Sequence, residues 1–177
     1  ELPHAGGMLR WGIPAYRLPR KVLDREIKDI VDTGVQLRLN TRIGREISFE
    51  QLKREYDMIY LAVGAHKSLS LGIPGENCEG VFGAVELLRN HNLDRPVKIG
   101  RRIAVIGGGN SAIDAARTAI RLGADSVTIY YRRERKDMPA QGAEIKAAEV
   151  EGVHIEYLAA PIGIKTRNGK VSGLELS

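Results

Sequence analysis

Cysteine is nearly absent from this sequence, which contains one, Cys78, among 177 residues. A single cysteine excludes an internal disulfide, a C-x-x-C redox pair and a cysteine-based zinc or iron–sulfur site within the chain. The four histidines are scattered without the spacing of metal ligands. We therefore expect a reducing, cytoplasmic setting, and a structural or surface role for His4, His66, His91 and His154.

Long apolar runs and aromatic residues are also scarce. No run approaches the ~18 apolar residues of a membrane span and no signal peptide is recognisable, so we expect no membrane segment. Aromatic residues make up 5% of the chain, and the net charge of +5 is spread along it. This distribution argues against nucleic-acid binding, and it favours phosphate-bearing cofactors or an acidic electron-transfer partner.

Glycine, in contrast, is concentrated at an informative place. The apolar run Arg102–Ile106 leads into a dinucleotide-binding turn of the G-x-G-x-x-A form, made by Gly107, Gly108, Gly109, Asn110, Ser111 and Ala112. Gly107 permits the tight turn, Gly109 leaves room for a pyrophosphate, and Ala112 lets the helix approach the strand. The first N–H groups of this helix, from Asn110 to Ala112, are expected to bind phosphate.

The end of the next strand discriminates between the two pyridine nucleotides. An apolar helix face ending at Gly123 leads to the β-branched and aromatic run Ser126–Tyr131, which completes a βαβ half-unit. NAD sites place an acidic residue at this strand tip, whereas NADP sites place a cation there for the 2′-phosphate. Arg132 and Arg133 occupy the tip and favour NADP(H), with Arg135 as a second candidate. An ordinary solvated loop is the alternative for this charged run.

The first half of the chain has an α/β pattern but no glycine motif of its own. A helix is expected after Leu18-Pro19, ending at Thr33-Gly34, and a short helix after the capping-box start Ser48–Gln51. Strands are expected over Val35–Leu39 and, in a buried position, over Met58–Val63. The small residues that end the second strand leave room for a flat ligand.

A polar, proline-containing link, Asn92–Pro96, follows a short helix expected over Gly83–Arg89 and marks the predicted domain boundary. Beyond the glycine turn, a helix is predicted over Ala143–Val150, a strand over Val153–Tyr157 and a hairpin turn at Asn168-Gly169. The predicted fold class is α/β and Rossmann-like, divided into residues 1–95 and 96–177.

Five ordered motifs resemble the NADPH-dependent flavoproteins related to the glutamate synthase small (β) subunit, a group that includes the flavin region of dihydropyrimidine dehydrogenase. These motifs are Gly6–Pro19, Tyr56–Ala65, Gly72–Glu76, Gly107–Ala112 with Tyr131–Arg133, and Met138-Pro139. The resemblance covers nearly the whole chain. It implies an FAD/NAD(P)-binding fold in which an NADPH-binding domain is inserted within an FAD-binding domain. It further implies hydride transfer from nicotinamide to flavin, and onward electron transfer to iron–sulfur centres or a large catalytic subunit.

The resemblance further implies that residues 1–95 form a partial FAD-binding domain. Its expected FAD contacts are Gly6, Gly7, Gly12, Ile13, Pro14, Ile43, Ala62 and Gly64. The first strand and glycine turn of such a domain are missing, so we expect a fragment, also truncated in its NADP(H)-binding domain, that is inactive alone and binds FAD weakly. Exposed strand edges would favour self-association. No catalytic side chain is predicted, because hydride transfer is cofactor chemistry.

Two other functions are compatible with the same residues. One is a non-catalytic NADP(H)-binding or regulatory module, which the missing flavin loop would fit. The other is an NAD-dependent dehydrogenase domain with a separate substrate half. A flavin absorption band that NADPH bleaches would distinguish the oxidoreductase from the binding module.

Overall fold

A computed structural model describes residues 1–177, which separate into two compact units, Glu1–His66 and Lys67–Ser177. These units reflect contacts within the chain, and they do not test the predicted boundary between an FAD-binding and an NADP(H)-binding domain. The nucleotide-domain boundary that we place at Asn92–Pro96 stays a prediction.

The first unit contains three helices, α1 (Gly7–Trp11), α2 (Arg20–Asp32) and α3 (Phe49–Glu55). The predicted start and end of α2 are confirmed, because Pro19 caps its N-terminus and Thr33 its C-terminus. Gly34 follows with φ 102°, a left-handed conformation that glycine adopts without strain. Of the apolar face of α2, Leu23 is buried, while Ile30 is exposed.

Ser48 is the N-cap of helix α3, as the sequence predicts. The Ser48 hydroxyl accepts a hydrogen bond from the Gln51 N–H at 3.0 Å. The reciprocal half of the predicted capping box is not formed, because the Gln51 side chain donates to Glu55 at 2.7 Å. The N-cap is therefore confirmed and the box is not.

The two strands predicted in the first unit are wrong. Val35–Leu39 and Met58–Val63 belong to no strand, and the second run is exposed rather than buried, with Tyr60 90% accessible to solvent. A strand needs a neighbour to complete its backbone hydrogen bonds. The first unit offers none, since its one isolated bridge joins Ile43 to Ile47.

The second unit begins with helix α4 (Ala84–Asn92) and then forms a βαβαβ arrangement. Its elements are β1 (Arg102–Ile106), α5 (Asn110–Arg121), β2 (Ser126–Tyr131), α6 (Gly142–Val150) and β3 (Val153–Tyr157). The strands form a parallel sheet in the order β1-β2-β3. These elements confirm the predicted Rossmann-like half of the chain.

One face of this sheet carries the core. The alternation of buried residues along β2 turns Val127, Ile129 and Tyr131 toward α5 and α6. Fully buried Ile113 and Ala116 of α5 pack in the same cluster. This packing fixes the position at which β1 passes into α5.

A separate antiparallel hairpin ends the chain, formed by β4 (Pro161–Arg167) and β5 (Lys170–Leu176). Its turn residues Asn168 and Gly169 both have positive φ, 52° and 76°. Two such residues give a turn whose twist matches the flanking strands. The predicted hairpin is confirmed.

An ion-pair cluster joins α5 to α6. Arg117 donates to Glu144 at 2.5 Å and to Glu151 at 2.7 Å and 3.0 Å. Arg121 donates to both oxygens of Glu151, at 2.6 Å and 2.9 Å. Hydrogen bonds from Arg121 and Arg117 lower the pKa of Glu151 from 4.5 to about 2. The cluster thus favours an ionised Glu151 in the folded protein.

We expect acid to remove this contribution to stability. Because the pKa of Glu151 is lower when folded, its ionisation stabilises the fold above its ordinary pKa of 4.5 and ceases to do so as pH falls toward 2. Urea unfolding should show the stability advantage of the protein over Glu151→Gln shrinking between about pH 5 and about pH 2. A constant difference across this window would contradict the assignment.

Candidate nucleotide-binding site

The glycine turn lies between the end of β1 and the start of α5. Gly107 has φ 126°, a conformation that strains any residue with a Cβ, and its N–H donates to the Tyr130 carbonyl at 3.1 Å. A Cβ on Gly107 would lie 3.7 Å from the Cβ of buried Ala112. The small residue at the end of the motif therefore permits close helix–strand packing, as predicted.

The other two glycines of the turn have different surroundings. A Cβ on Gly108 would lie 2.5 Å from the Tyr131 ring, so this glycine is required by packing. A Cβ on Gly109 would approach only Pro139, at 4.0 Å. Gly109 also has φ −89°, which any residue can adopt. Nothing within the chain requires glycine there, which fits the predicted approach of a ligand.

The N-terminus of α5 presents backbone donors. Gly109 is its N-cap without a side-chain hydrogen bond, and Asn110 and Ser111 are its first two residues. Their N–H groups have no acceptor within a helix. The N–H of Ala112 donates to the Gly109 carbonyl at 3.0 Å. Ala112 therefore serves the turn through its size, and Asn110 and Ser111 are the better donors.

Arg132 and Arg133 directly follow β2, and both are exposed. The parallel register pairs Ile106 with Tyr130, so the glycine turn and the two arginines lie at the same edge of the sheet. Neither arginine forms an ion pair with any residue of the chain, whereas Arg135 pairs with Glu149 and Lys136 with Glu134. These two guanidinium groups are available for an anion.

Arg135, the second candidate for the phosphate, is paired with Glu149 within the protein. It contacts Glu149, with one N–O distance of 3.0 Å, and donates to the Tyr157 hydroxyl at 3.2 Å. The hydrogen bond to Glu149 is the main cause of the raised pKa of Arg135, and it lowers the pKa of Glu149. The sequence placed Arg135 in the right loop but could not show this pairing.

The segment Glu134–Gln141, which follows the two arginines, lies against the glycine turn. The Ala140 N–H donates to the Gly108 carbonyl at 3.1 Å, and the Gln141 N–H donates to the Asn110 side chain at 3.2 Å. The sequence singled out only Arg135 and the Met138-Pro139 motif in this segment, and it did not predict these contacts. The side chain of Asn110 is therefore occupied by the protein, which leaves its backbone N–H for a ligand.

An open cleft of about 650 Å³ is lined in part by residues of this segment. It contains no residue of the glycine turn, and Arg135, which lines it, is paired with Glu149. The cleft is therefore distinct from the predicted phosphate site at the turn, which stays a prediction. The cleft is lined by Glu134, Arg135, Lys136, Met138, Ala140, Gly142 and Ile145.

Five of the predicted FAD contacts form one local structure in the first unit, around α1. Gly6 and Gly7 begin this helix with positive φ, 114° and 48°. Gly12 ends it, and the Ile13 N–H donates to the Met8 carbonyl at 3.0 Å. Arg20 fixes the same loop by donating to the Ile13 carbonyl at 3.1 Å. Its last predicted member, Pro14, is buried.

The other predicted FAD contacts lie in separate segments. Ile43 is 48% exposed and belongs to a tight turn that ends at Ile47. Ala62 and Gly64 are exposed in the run that forms no strand, and Gly64 has φ 72°. These assignments stay predictions.

No helix has the length and apolar character needed to cross a membrane. No group of three or more histidine, cysteine, aspartate or glutamate side chains is arranged to hold a metal ion.

Curated relatives share extensive sequence with this chain. It is 46% identical to the NADP(+)-dependent formate dehydrogenase subunit beta of Moorella thermoacetica, over 98% of this chain and 25% of that protein. It is 36% identical to the glutamate synthase [NADPH] small chain of Escherichia coli K12, over 98% of this chain and 39% of that protein. The chain thus spans well under half the length of these relatives.

A solved structure shows the same fold. FprA from Mycobacterium tuberculosis superposes with a TM-score of 0.78 at 21% identity, covering 99% of this chain and 55% of that one. A family profile, pyridine nucleotide-disulphide oxidoreductase, matches residues 8–176. The match confirms the predicted FAD/NAD(P)-binding fold and the predicted cofactors, FAD and NADP(H), as those of its family. The chain belongs to the pyridine nucleotide-disulphide oxidoreductase family.

Proposed function

We propose that this chain is the part of an NADPH-dependent flavoprotein oxidoreductase that binds NADP(H) at the glycine turn and contributes to an FAD site around α1. The relatives named for NADP(+) and NADPH support this cofactor. In the whole protein, hydride passes from NADPH to FAD. The chain then acts by binding and orienting the two nucleotides.

The observation that carries the proposal is the pair of exposed arginines without ion-pair partners, next to a glycine turn that is open at Gly109. A guanidinium matches two oxygens of a phosphate, and Arg132 and Arg133 lie where the 2′-phosphate of NADP(H) would be bound. A site for NAD(H) would place a carboxylate there to bind the ribose hydroxyls.

The residues of the glycine turn have different expected roles in binding the pyrophosphate. The Asn110 and Ser111 N–H groups face the negative charge of the pyrophosphate at the positive end of α5. Gly109 lets the backbone come close, while Gly107 and Gly108 give the turn its shape. Bound nicotinamide and flavin supply the redox chemistry, so the protein need not provide an acid or base.

The relatives also support an electron acceptor outside this chain. The Moorella relative is named as a subunit and the Escherichia coli relative as a small chain. We propose that electrons leave the flavin for iron–sulfur centres or a partner subunit in the cytoplasm. The single cysteine of the chain leaves such clusters to other parts of the assembly.

Titration of the full-length protein with NADPH under argon, followed at the flavin absorption band, tests the proposed function. NADPH should bleach the band at low concentration and NADH only at higher concentration. Arg132→Ala should raise the NADPH concentration for half-maximal bleaching about tenfold, because a hydrogen bond to a charged group contributes about 1.5 kcal/mol. The NADH titration should change little.

Arg101→Ala is the matched control, because Arg101 precedes β1 at the opposite end of the strand and pairs with Asp125 at 2.9 Å. It removes the same charge, and its titration should equal that of the unchanged protein. A flavin band that NADPH fails to bleach would refute the proposed oxidoreductase function. Equal losses in Arg132→Ala and Arg101→Ala would refute the phosphate role.

A further inference from the structure

One buried side chain contacts both the glycine turn and the segment that follows the arginines. Tyr131, the last residue of β2, is 8% exposed, and its ring fills the space where a Cβ on Gly108 would lie. Its hydroxyl donates to the Asp137 carbonyl at 2.6 Å. This short hydrogen bond from a buried tyrosine ties the two parts together at Asp137.

The segment Glu134–Gln141 is itself ordered around this contact. The Glu134 and Asp137 side chains each accept a hydrogen bond from the other's backbone, which closes a 3₁₀ turn over Arg135–Asp137. Ala140 then donates to the Gly108 carbonyl, as described above. The hydroxyl of Tyr131 therefore holds the middle of the segment, at Asp137, and Ala140 holds its end.

Arg132 and Arg133 connect these fixed points. The Tyr131 carbonyl accepts a hydrogen bond from the Ala159 N–H at 3.1 Å, and the Arg133 carbonyl accepts one from the Leu158 N–H at 3.2 Å. The backbone on both sides of Arg132 is therefore bound to the residues that follow β3. The side chains of the two arginines have no such restraint, because they are exposed and without ion pairs. Their direction depends on the backbone between Tyr131 and Asp137.

We infer that Tyr131 is a positioning residue that sets the preference for NADPH over NADH without contacting the nucleotide. Its ring supports the glycine turn, which both nucleotides use, and its hydroxyl holds the path of the arginines, which only the 2′-phosphate uses. The two roles are separable, because phenylalanine keeps the ring and removes the hydroxyl. This inference rests on the proposed function.

Tyr131→Phe in the full-length protein tests the inference. We expect the NADPH concentration for half-maximal flavin bleaching to rise about fivefold, the effect of one lost hydrogen bond, with the NADH titration unchanged. Without added nucleotide, hydrogen exchange should become faster at the backbone amides of residues 134–141. Tyr130→Phe is the matched control, because Tyr130 lies on the opposite face of β2 and should change neither measurement.

Three outcomes would overturn the inference. They are an unchanged NADPH titration, an equal loss for both nucleotides, and unchanged hydrogen exchange over residues 134–141. If the unchanged protein prefers NADPH and Arg132→Ala removes the preference, while Tyr131→Phe retains it, the inference fails and the proposed function stands. If the unchanged protein shows no preference for NADPH, the proposed function fails.

Discussion

Arg117→Met is expected to lower the free energy of unfolding by about 3 kcal/mol, because it removes the guanidinium that Glu144 and Glu151 share at a partly buried site. The side chains of Arg117, Glu144 and Glu151 are only 10%, 20% and 24% exposed. Methionine retains most of the apolar volume, so the lost ion pairs dominate the change. Urea unfolding near neutral pH measures the effect.

Arg121→Met is the matched control for this prediction. The side chain of Arg121 is 37% exposed and pairs with Glu151, which keeps Arg117 when Arg121 is removed. Exposed pairs contribute little, so we expect a loss below about 1 kcal/mol. Similar small losses in both variants would show that the cluster does not hold α5 against α6.

The second large effect is expected at the open glycine of the turn. Gly109→Val should weaken NADPH binding about a hundredfold, since the new side chain occupies the space of the pyrophosphate and overpacking costs up to about 3 kcal/mol. The fold itself should accept the change, because the backbone at Gly109 has φ −89° and a Cβ there meets only Pro139, at 4.0 Å. Nucleotide titration and thermal unfolding are measured on the same variant.

Gly108→Ala provides the contrast. Its Cβ would lie 2.5 Å from the ring of Tyr131, which cannot move away because its hydroxyl is bound to Asp137. We expect this variant to lose stability by about 1–3 kcal/mol. For Gly109→Val, NADPH binding as tight as that of the unchanged protein would show that the pyrophosphate does not lie against residue 109.

Local patterns predicted the second unit well. The break from an apolar run into glycines located the turn between β1 and α5, and Gly123 and Gly152 follow the ends of α5 and α6 with φ 91°. Asn168-Gly169 predicted the hairpin. Each of these signals describes a backbone conformation that a few adjacent residues determine, which is why the sequence alone was sufficient.

The failures arose where structure depends on distant partners. Val35–Leu39 and Met58–Val63 have strand patterns, but the first unit contains no strand beside them. The pairing of Arg135 with Glu149 and the contact of Tyr131 with Gly108 join residues far apart in sequence. Without this information, Arg135 remained a second candidate for the phosphate behind Arg132 and Arg133.

The difference between these arginines bears on how cofactor preference can evolve. Arg132 and Arg133 form no ion pair within the protein, so substituting them changes nucleotide recognition without leaving a carboxylate unpaired. Arg135, in contrast, forms hydrogen bonds to Glu149 and Tyr157 that its substitution would remove. Under the proposed function, a lineage could exchange one pyridine nucleotide for the other at two positions, with no compensating substitution elsewhere in the fold.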